Sequence, residues 1–178
     1  GQTEHYGPNH VETLIGQGNL AILLKNKGTP ESVDEAERLY KEKIAGLTEQ
    51  HGPNHVNTLV TKGNLANLLK DKKTPESVEE AEQLYKEVIA GQTEHYGPNH
   101  VETLIGKGNL AILLKNKGTP ESLDEAERLY KEKIAGFTEQ HGPNHVNTMV
   151  TKGQLTNHLK NKKTPESGEE VDLTDMEA

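Results

Sequence analysis

The amino-acid sequence predicts an all-α protein, an α-α superhelix of four helical hairpins. Two short strings recur every 45 residues: GPNH begins at Gly7, Gly52, Gly97 and Gly142, and TPES begins at Thr29, Thr74, Thr119 and Thr164. Apolar residues between these strings follow the helical spacing i, i+3, i+4 and i+7, and no stretch alternates with the period of two that marks a strand. A fixed repeat made of helices alone is typical of a solenoid.

The repeats divide the 178-residue chain, taken as a single array, into units 1–45, 46–90, 91–135 and 136–178. A second period of 90 residues overlies the first, because units 1–45 and 91–135 are identical at 43 of 45 positions. Identity this high indicates recent duplication or design, and the irregular divergence of the fourth unit favours duplication. In that unit His158 replaces Leu68, which we expect to remove an apolar contact with a further unit. We therefore interpret the fourth unit as degenerate or capping.

Each unit is predicted to contain two helices. The first follows Pro8, with Asn9 and Glu12 as a candidate capping box, and it ends at Gly28. The second is predicted to begin at Ser32, whose partner Glu35 completes an S-x-x-E box. We expect this second helix to end near the sequence His51-Gly52-Pro53. Small residues allow helices to approach closely, and the candidate crossing points are Ala21, Ala66, Ala111, Ala36, Ala81 and Ala126.

The composition excludes several classes of function. The chain has 20 Lys and Arg against 28 Asp and Glu, a net charge of −8, and no Cys. An acidic chain lacks the basic field that drives binding to nucleic acid, and no apolar run is long enough for membrane insertion. Without Cys there is no disulfide framework, thiol nucleophile or thiolate metal site. Leu, Ile, Val and Phe total 38 of 178 residues, which is enough for a stack of small units but too few for one large core.

Two segments of the repeat unit resemble a known family. The sequence Asn19-Leu20-Ala21-x-Leu23-Leu24, followed by Glu35-Ala36-Glu37-x-Leu39-Tyr40-Lys41, resembles a tetratricopeptide repeat (TPR), and is most similar to the long repeats of kinesin light chains. The resemblance implies a TPR-like solenoid whose first helices line a concave groove that binds peptides. Where that family has a large apolar residue in the first helix, this chain has Gln17, Lys62, Lys107 and Lys152. We expect less tight packing there, and likewise at Lys43, Val88 and Lys133 of the second helices.

The resemblance also assigns a peptide groove, position by position. The groove residues that it implies are Ile15, Asn19, Ile22, Asn26, Val60, Asn64, Asn67, Asp71, Ile105, Asn109, Ile112, Asn116, Gln154 and Asn157. Asn side chains both donate and accept hydrogen bonds, so a row of them suits an unpaired peptide backbone. The alternative is that these Asn side chains bond neighbouring helices.

No catalytic or metal site is predicted from the sequence. The chain has no P-loop, G-x-S-x-G or H-E-x-x-H motif, so we expect it not to be an enzyme. Its nine His residues show no third ligand at metal-binding spacing, and we interpret them as turn-stabilising side chains. We expect no cofactor and no metal.

The sequence therefore favours a non-enzymatic scaffold, expected to be cytoplasmic, that binds a protein or peptide segment in the groove. Two alternatives remain open: an architectural spacer or packed subunit of a larger assembly, and an accessory domain of a larger protein. Because the chain begins in mid-pattern at Gly1, without Met, we expect a fragment or a processed chain.

Overall fold

The computed structural model describes residues 10–163, and within that range every regular element is a helix. The helices are α1 (Val11–Lys27), α2 (Pro30–His51), α3 (Val56–Lys72), α4 (Pro75–Tyr96), α5 (Val101–Lys117), α6 (Pro120–His141) and α7 (Val146–Lys163). They form three complete hairpins and the first helix of a fourth. Each helix packs against its predecessor and its successor along the chain, as the repeat pattern predicts for a solenoid.

One apolar core runs through the successive hairpins. The six predicted crossing-point alanines are fully buried, and Tyr85 and Tyr130 lie in the same cluster. Leu65, Leu68 and Leu69 of α3 pack into this cluster, as do their copies on α5. The corresponding residues of α1, for which the described part of the chain holds no preceding hairpin, are much more exposed. Burial at these positions is therefore supplied by stacking.

The predicted starts of the second helices are wrong. Each of α2, α4 and α6 begins two residues earlier, with Thr29, Thr74 or Thr119 as N-cap and Pro as the first helical residue. Thr29 Oγ1 accepts a hydrogen bond from the Ser32 backbone N–H, which is the bond that an N-cap provides. Ser32 instead lies one turn inside the helix, so the S-x-x-E box does not form.

The first helices are capped by histidine. Nδ1 of His55 accepts a hydrogen bond from the backbone N–H of Asn57, and His10, His100 and His145 make the same bond in their own hairpins. Asn9 lies outside the described residues, but its copy Asn54 is not a cap: it donates to Glu94. Histidine therefore stabilises these turns as the N-cap of the first helix, a role that the sequence pattern did not predict.

The helix ends agree with the predicted stop signals. Gly28 has φ 72°, in the left-handed region that glycine tolerates best, and its N–H donates to the Leu24 carbonyl. Lys73 occupies the same position after α3 with φ 59°. The second helix of the first hairpin ends at His51, as predicted.

Position 158 faces backward along the array. His158 is fully buried, its Nε2 lies 2.9 Å from the Leu123 carbonyl oxygen, and its ring packs against Tyr130. Both partners belong to the preceding hairpin. The replacement of Leu68 by His158 therefore alters contacts inside the described array, and the expected loss of a contact with a further unit is wrong.

Candidate functional site

The first helices carry a regular row of exposed aliphatic side chains. The row consists of Ile15, Val60, Ile105 and Val150, one from each hairpin, and these side chains are 50%, 54%, 44% and 56% exposed. Each lies one helical turn before an amide side chain, in order Asn19, Asn64, Asn109 and Gln154. We call these four residues the aliphatic row. A helix face that keeps aliphatic residues in water at the same place in every repeat is a candidate contact surface.

Two clefts lie beside this row, at equivalent places 45 residues apart. The first cleft, between hairpins one and two, has a volume of about 260 Å³ and is lined by Val11, Leu14, Ile15, Lys43, Leu47, His51, Asn57, Val60, Thr61 and Asn64. The second cleft, between hairpins two and three, has a volume of about 220 Å³ and is lined by Val56, Leu59, Val60, Gln92, Tyr96 and Glu102. The two clefts share an aliphatic wall but differ in their polar side chains.

Lys43 brings a positive charge to the first cleft. Its side chain crosses α1 at Gly18, where an added Cβ would collide with the ammonium group. Burial lowers the pKa of Lys43, because desolvation disfavours the charged form. Lys133 crosses Gly108 in the same way, and its Nζ lies 5.8 Å from the centre of the Phe137 ring. Glycine on the first helix therefore makes room for a lysine stem, so the expected packing defect at Lys43 and Lys133 is not found.

Lysines in the middle of the first helices are paired across the hairpin. The Lys62 Nζ lies 2.8 Å from Glu87 Oε2, and the Lys107 Nζ lies 2.9 Å from Glu132 Oε2. The hydrogen bond from Lys62 lowers the pKa of the Glu87 carboxyl group. Both lysine side chains are only 11% exposed. The expected looser packing at these positions is therefore wrong, because a lysine stem with a paired charge fills the place of the large apolar residue.

The predicted groove residues do not all lie at one cleft. Ile15, Val60 and Asn64 line the first cleft together. Asp71 and Asn116 lie at the opposite ends of the first helices, where both line a cleft of about 470 Å³ beside Lys117. Asp71 also pairs with Lys25 of the preceding hairpin, at 3.5 Å.

The remaining predicted groove residues differ in exposure. Asn67 is bonded inside its own hairpin, since its Oδ1 accepts a hydrogen bond of 2.7 Å from the Tyr85 hydroxyl. The exposed members of the predicted set are Ile15, Asn19, Ile22, Asn26, Val60, Asp71, Ile105, Asn116 and Asn157, and the half-buried members are Asn64, Asn67, Asn109, Ile112 and Gln154. Sequence reasoning missed Gln92, Tyr96 and Lys43, which lie on the second helices and still reach the clefts.

No metal centre is found in the described part of the chain, where no three His, Asp or Glu residues are placed to hold an ion. The cap histidines face backbone N–H groups. Among residues 10–163, no helix has the length and apolar character needed to cross a membrane.

Comparison with known proteins identifies similar solved structures. No family model matches the sequence, and no curated protein matches it. One of the similar structures is a Podosopora anserina structure described as having kinesin light chain nearly identical TPR-like repeats. It superposes with a TM-score of 0.78 at 21% sequence identity, over 91% of this chain and 72% of that chain. The Q17M form of the same protein gives the same values. BtubC (BKLC) from P. vanneervenii gives 0.72 at 19% identity, over 85% of this chain and 57% of that one. The chain therefore has the fold of TPR-like helical repeat proteins.

Proposed function

We propose that this chain is a non-enzymatic scaffold that binds a peptide or protein segment along its first helices. The single observation that carries the proposal is the aliphatic row. Four equivalent side chains, about half exposed, repeat at every hairpin while the neighbouring leucines on α3 and α5 are buried. Covering one half-exposed Val or Ile side chain contributes about 1 kcal/mol, so four of them supply a useful part of a binding free energy.

The polar side chains beside the row suit an extended ligand. Asn19, Asn64 and Asn109 lie one turn beyond the aliphatic residues on the same helices and have both donor and acceptor groups. A peptide backbone presents the complementary groups at regular intervals. The combination of apolar contact and amide hydrogen bonding therefore supports a peptide ligand over a small hydrophobic molecule.

Exposed lysines on the second helices are paired within the array. On the second helices, Lys41 pairs with Glu37 of its own helix and with Glu80 of the next hairpin. Lys86 pairs with Glu82 of its own helix. Charges that are already paired within the array are less available to a partner. This favours the first helices over the architectural alternative, in which the second helices would form the contact.

A peptide array probed with the full chain tests the proposal. We expect Val60→Ser to weaken peptide binding about fivefold, and Asn64→Ala and Asn109→Ala to weaken it measurably. The matched control is Leu23→Ser, which changes an aliphatic residue of similar exposure in the first described hairpin. Unchanged binding in Val60→Ser, Asn64→Ala and Asn109→Ala would eliminate the groove model and favour the architectural one.

A further inference from the structure

A glutamine occupies a core position at the junction between the second and third hairpins. Gln92 lies near the end of α4 and is only 8% exposed. Its copies 45 residues before and after it are Leu47 and Phe137, which are buried apolar residues. The second cleft therefore has a carboxamide where the first cleft has an aliphatic side chain, beside its aliphatic residues Val56, Leu59 and Val60.

The side-chain oxygen of Gln92 has no hydrogen-bond partner within the described residues. This atom, Oε1, is buried and accepts no hydrogen bond. Buried polar groups in proteins are nearly always paired, so this unpaired oxygen requires an explanation. Gln92 lines the second cleft, and rotation of its terminal amide exchanges the positions of the oxygen and the nitrogen.

The neighbouring helix leaves space for this glutamine. Gly106 of α5 faces it, and a Cβ at Gly106 would lie 3.0 Å from Gln92 Oε1. The corresponding residues in hairpins two and four are Thr61 and Thr151, opposite Leu47 and Phe137. The small residue at 106 and the polar residue at 92 thus occur together at the same junction.

The second cleft is large enough to hold a side chain from a ligand. Its volume is about 220 Å³, and its walls are Val56, Leu59 and Val60. A cavity of about 150 Å³ accepts benzene, so this space accommodates one amino-acid side chain. Glu102 also lines the cleft and disfavours a carboxylate there by charge repulsion.

We propose that the second cleft binds an Asn or Gln side chain of the ligand, whose carboxamide pairs with that of Gln92. Two carboxamides match because each has a donor and an acceptor. The first cleft has Leu47 in the same place and therefore lacks this carboxamide. This assignment rests on the proposed peptide-binding function and specifies which residue the ligand places between hairpins two and three.

The first test uses a small amide probe and requires no peptide. The full chain is titrated with propionamide while the side-chain amide resonance of Gln92 is followed by NMR, with propionate as the matched anionic probe. We expect a saturable shift at millimolar propionamide and none with propionate. Equal responses to both probes, or no response to propionamide, would overturn the assignment.

The second test compares peptide preferences. Peptides are selected from a random library against the wild-type chain and against Gln92→Leu, which restores the apolar pattern of Leu47 and is expected to fold. The wild-type chain should enrich Asn or Gln at one fixed position, and replacing that residue with Leu should weaken binding at least tenfold. Gln92→Leu should prefer Leu at the same position.

The outcomes separate the two proposals. Identical preferences in wild type and Gln92→Leu, or enrichment of a charged residue at that position, would overturn the glutamine assignment while leaving peptide binding intact. A saturable propionamide shift without any selected peptide would support the chemistry of the cleft and contradict the proposed function.

Discussion

Gly91 on α4 lies directly against Leu59 on α3, and a Cβ at Gly91 would lie 2.8 Å from both Cδ atoms of that leucine. Leu59 is 1% exposed, so it cannot move aside into solvent. The same close approach recurs in the third hairpin between Gly136 and Leu104. The lack of a side chain at Gly91 and Gly136 therefore allows the two helices of each hairpin to approach closely beside Leu59 and Leu104.

We predict that Gly91→Ala destabilises the protein by about 1–3 kcal/mol, because the added methyl group overpacks the core around Leu59. The matched control is Gly63→Ala, since no atom lies within 4 Å of a Cβ built at Gly63. That control should stabilise α3 by about 1 kcal/mol through helix propensity. Urea unfolding followed by circular dichroism measures both, and a stabilising Gly91→Ala would contradict the packing described above.

The histidine caps give a second prediction. His55→Ala removes the acceptor for the Asn57 N–H and should cost about 1 kcal/mol of unfolding free energy. His55→Asn supplies another acceptor suited to the N-cap and should retain most of the stability. Thermal unfolding of the two variants checks this. Equal losses in both would show that the hydrogen bond contributes nothing.

The third prediction concerns how the stability of the fold changes in acid, and it rests on Glu127. Hydrogen bonds from Lys131 and Lys162 lower the pKa of its carboxyl group to about 2, well below its ordinary value of about 4.3. Because the folded state holds the proton less tightly, this carboxylate stabilises the fold above pH 4.3, and the contribution is lost as the pH falls toward 2. We expect carboxyl NMR titration to give a midpoint near 2.

The control for this acid response is Lys162→Gln, which removes the contact from the fourth hairpin. In that variant the Glu127 midpoint should move upward, toward its ordinary value. A wild-type midpoint at the ordinary value would refute the pairing.

The sequence predicted the repeat, the number of helices per hairpin and the crossing-point alanines, because these depend on periodicity and residue size. It did not predict the Lys62 to Glu87 pair or the role of Gly91, which depend on how each helix is rotated toward its partner. The spacing of apolar residues defines which face of a helix is apolar, but it does not predict which neighbouring helix covers that face. For the same reason, the direction in which position 158 faces was predicted wrongly.

Only part of the candidate site could be predicted in the same way. The family resemblance assigned Ile15 and Val60 to the groove; both are exposed and line the first cleft, and their role in binding stays a prediction. Gln92 was missed because it belongs to the second helix and reaches the cleft only through the stacking of two hairpins. Its signal in the sequence was the replacement of Leu47 and Phe137 by a polar residue at the same repeat position.

The central claim is that stacking on the preceding hairpin buries the first-helix leucines at the position of Leu23 and Leu113. The stretch from Asn19 to Lys27 is identical to the stretch from Asn109 to Lys117, yet Leu23 is 66% exposed and its copy Leu113 is 2% exposed. The most direct measurement compares Leu113→Ala with Leu23→Ala by urea unfolding. Stacking predicts a loss of about 2–5 kcal/mol for Leu113→Ala and of less than about 0.5 kcal/mol for Leu23→Ala. Equal losses at the two positions would contradict it.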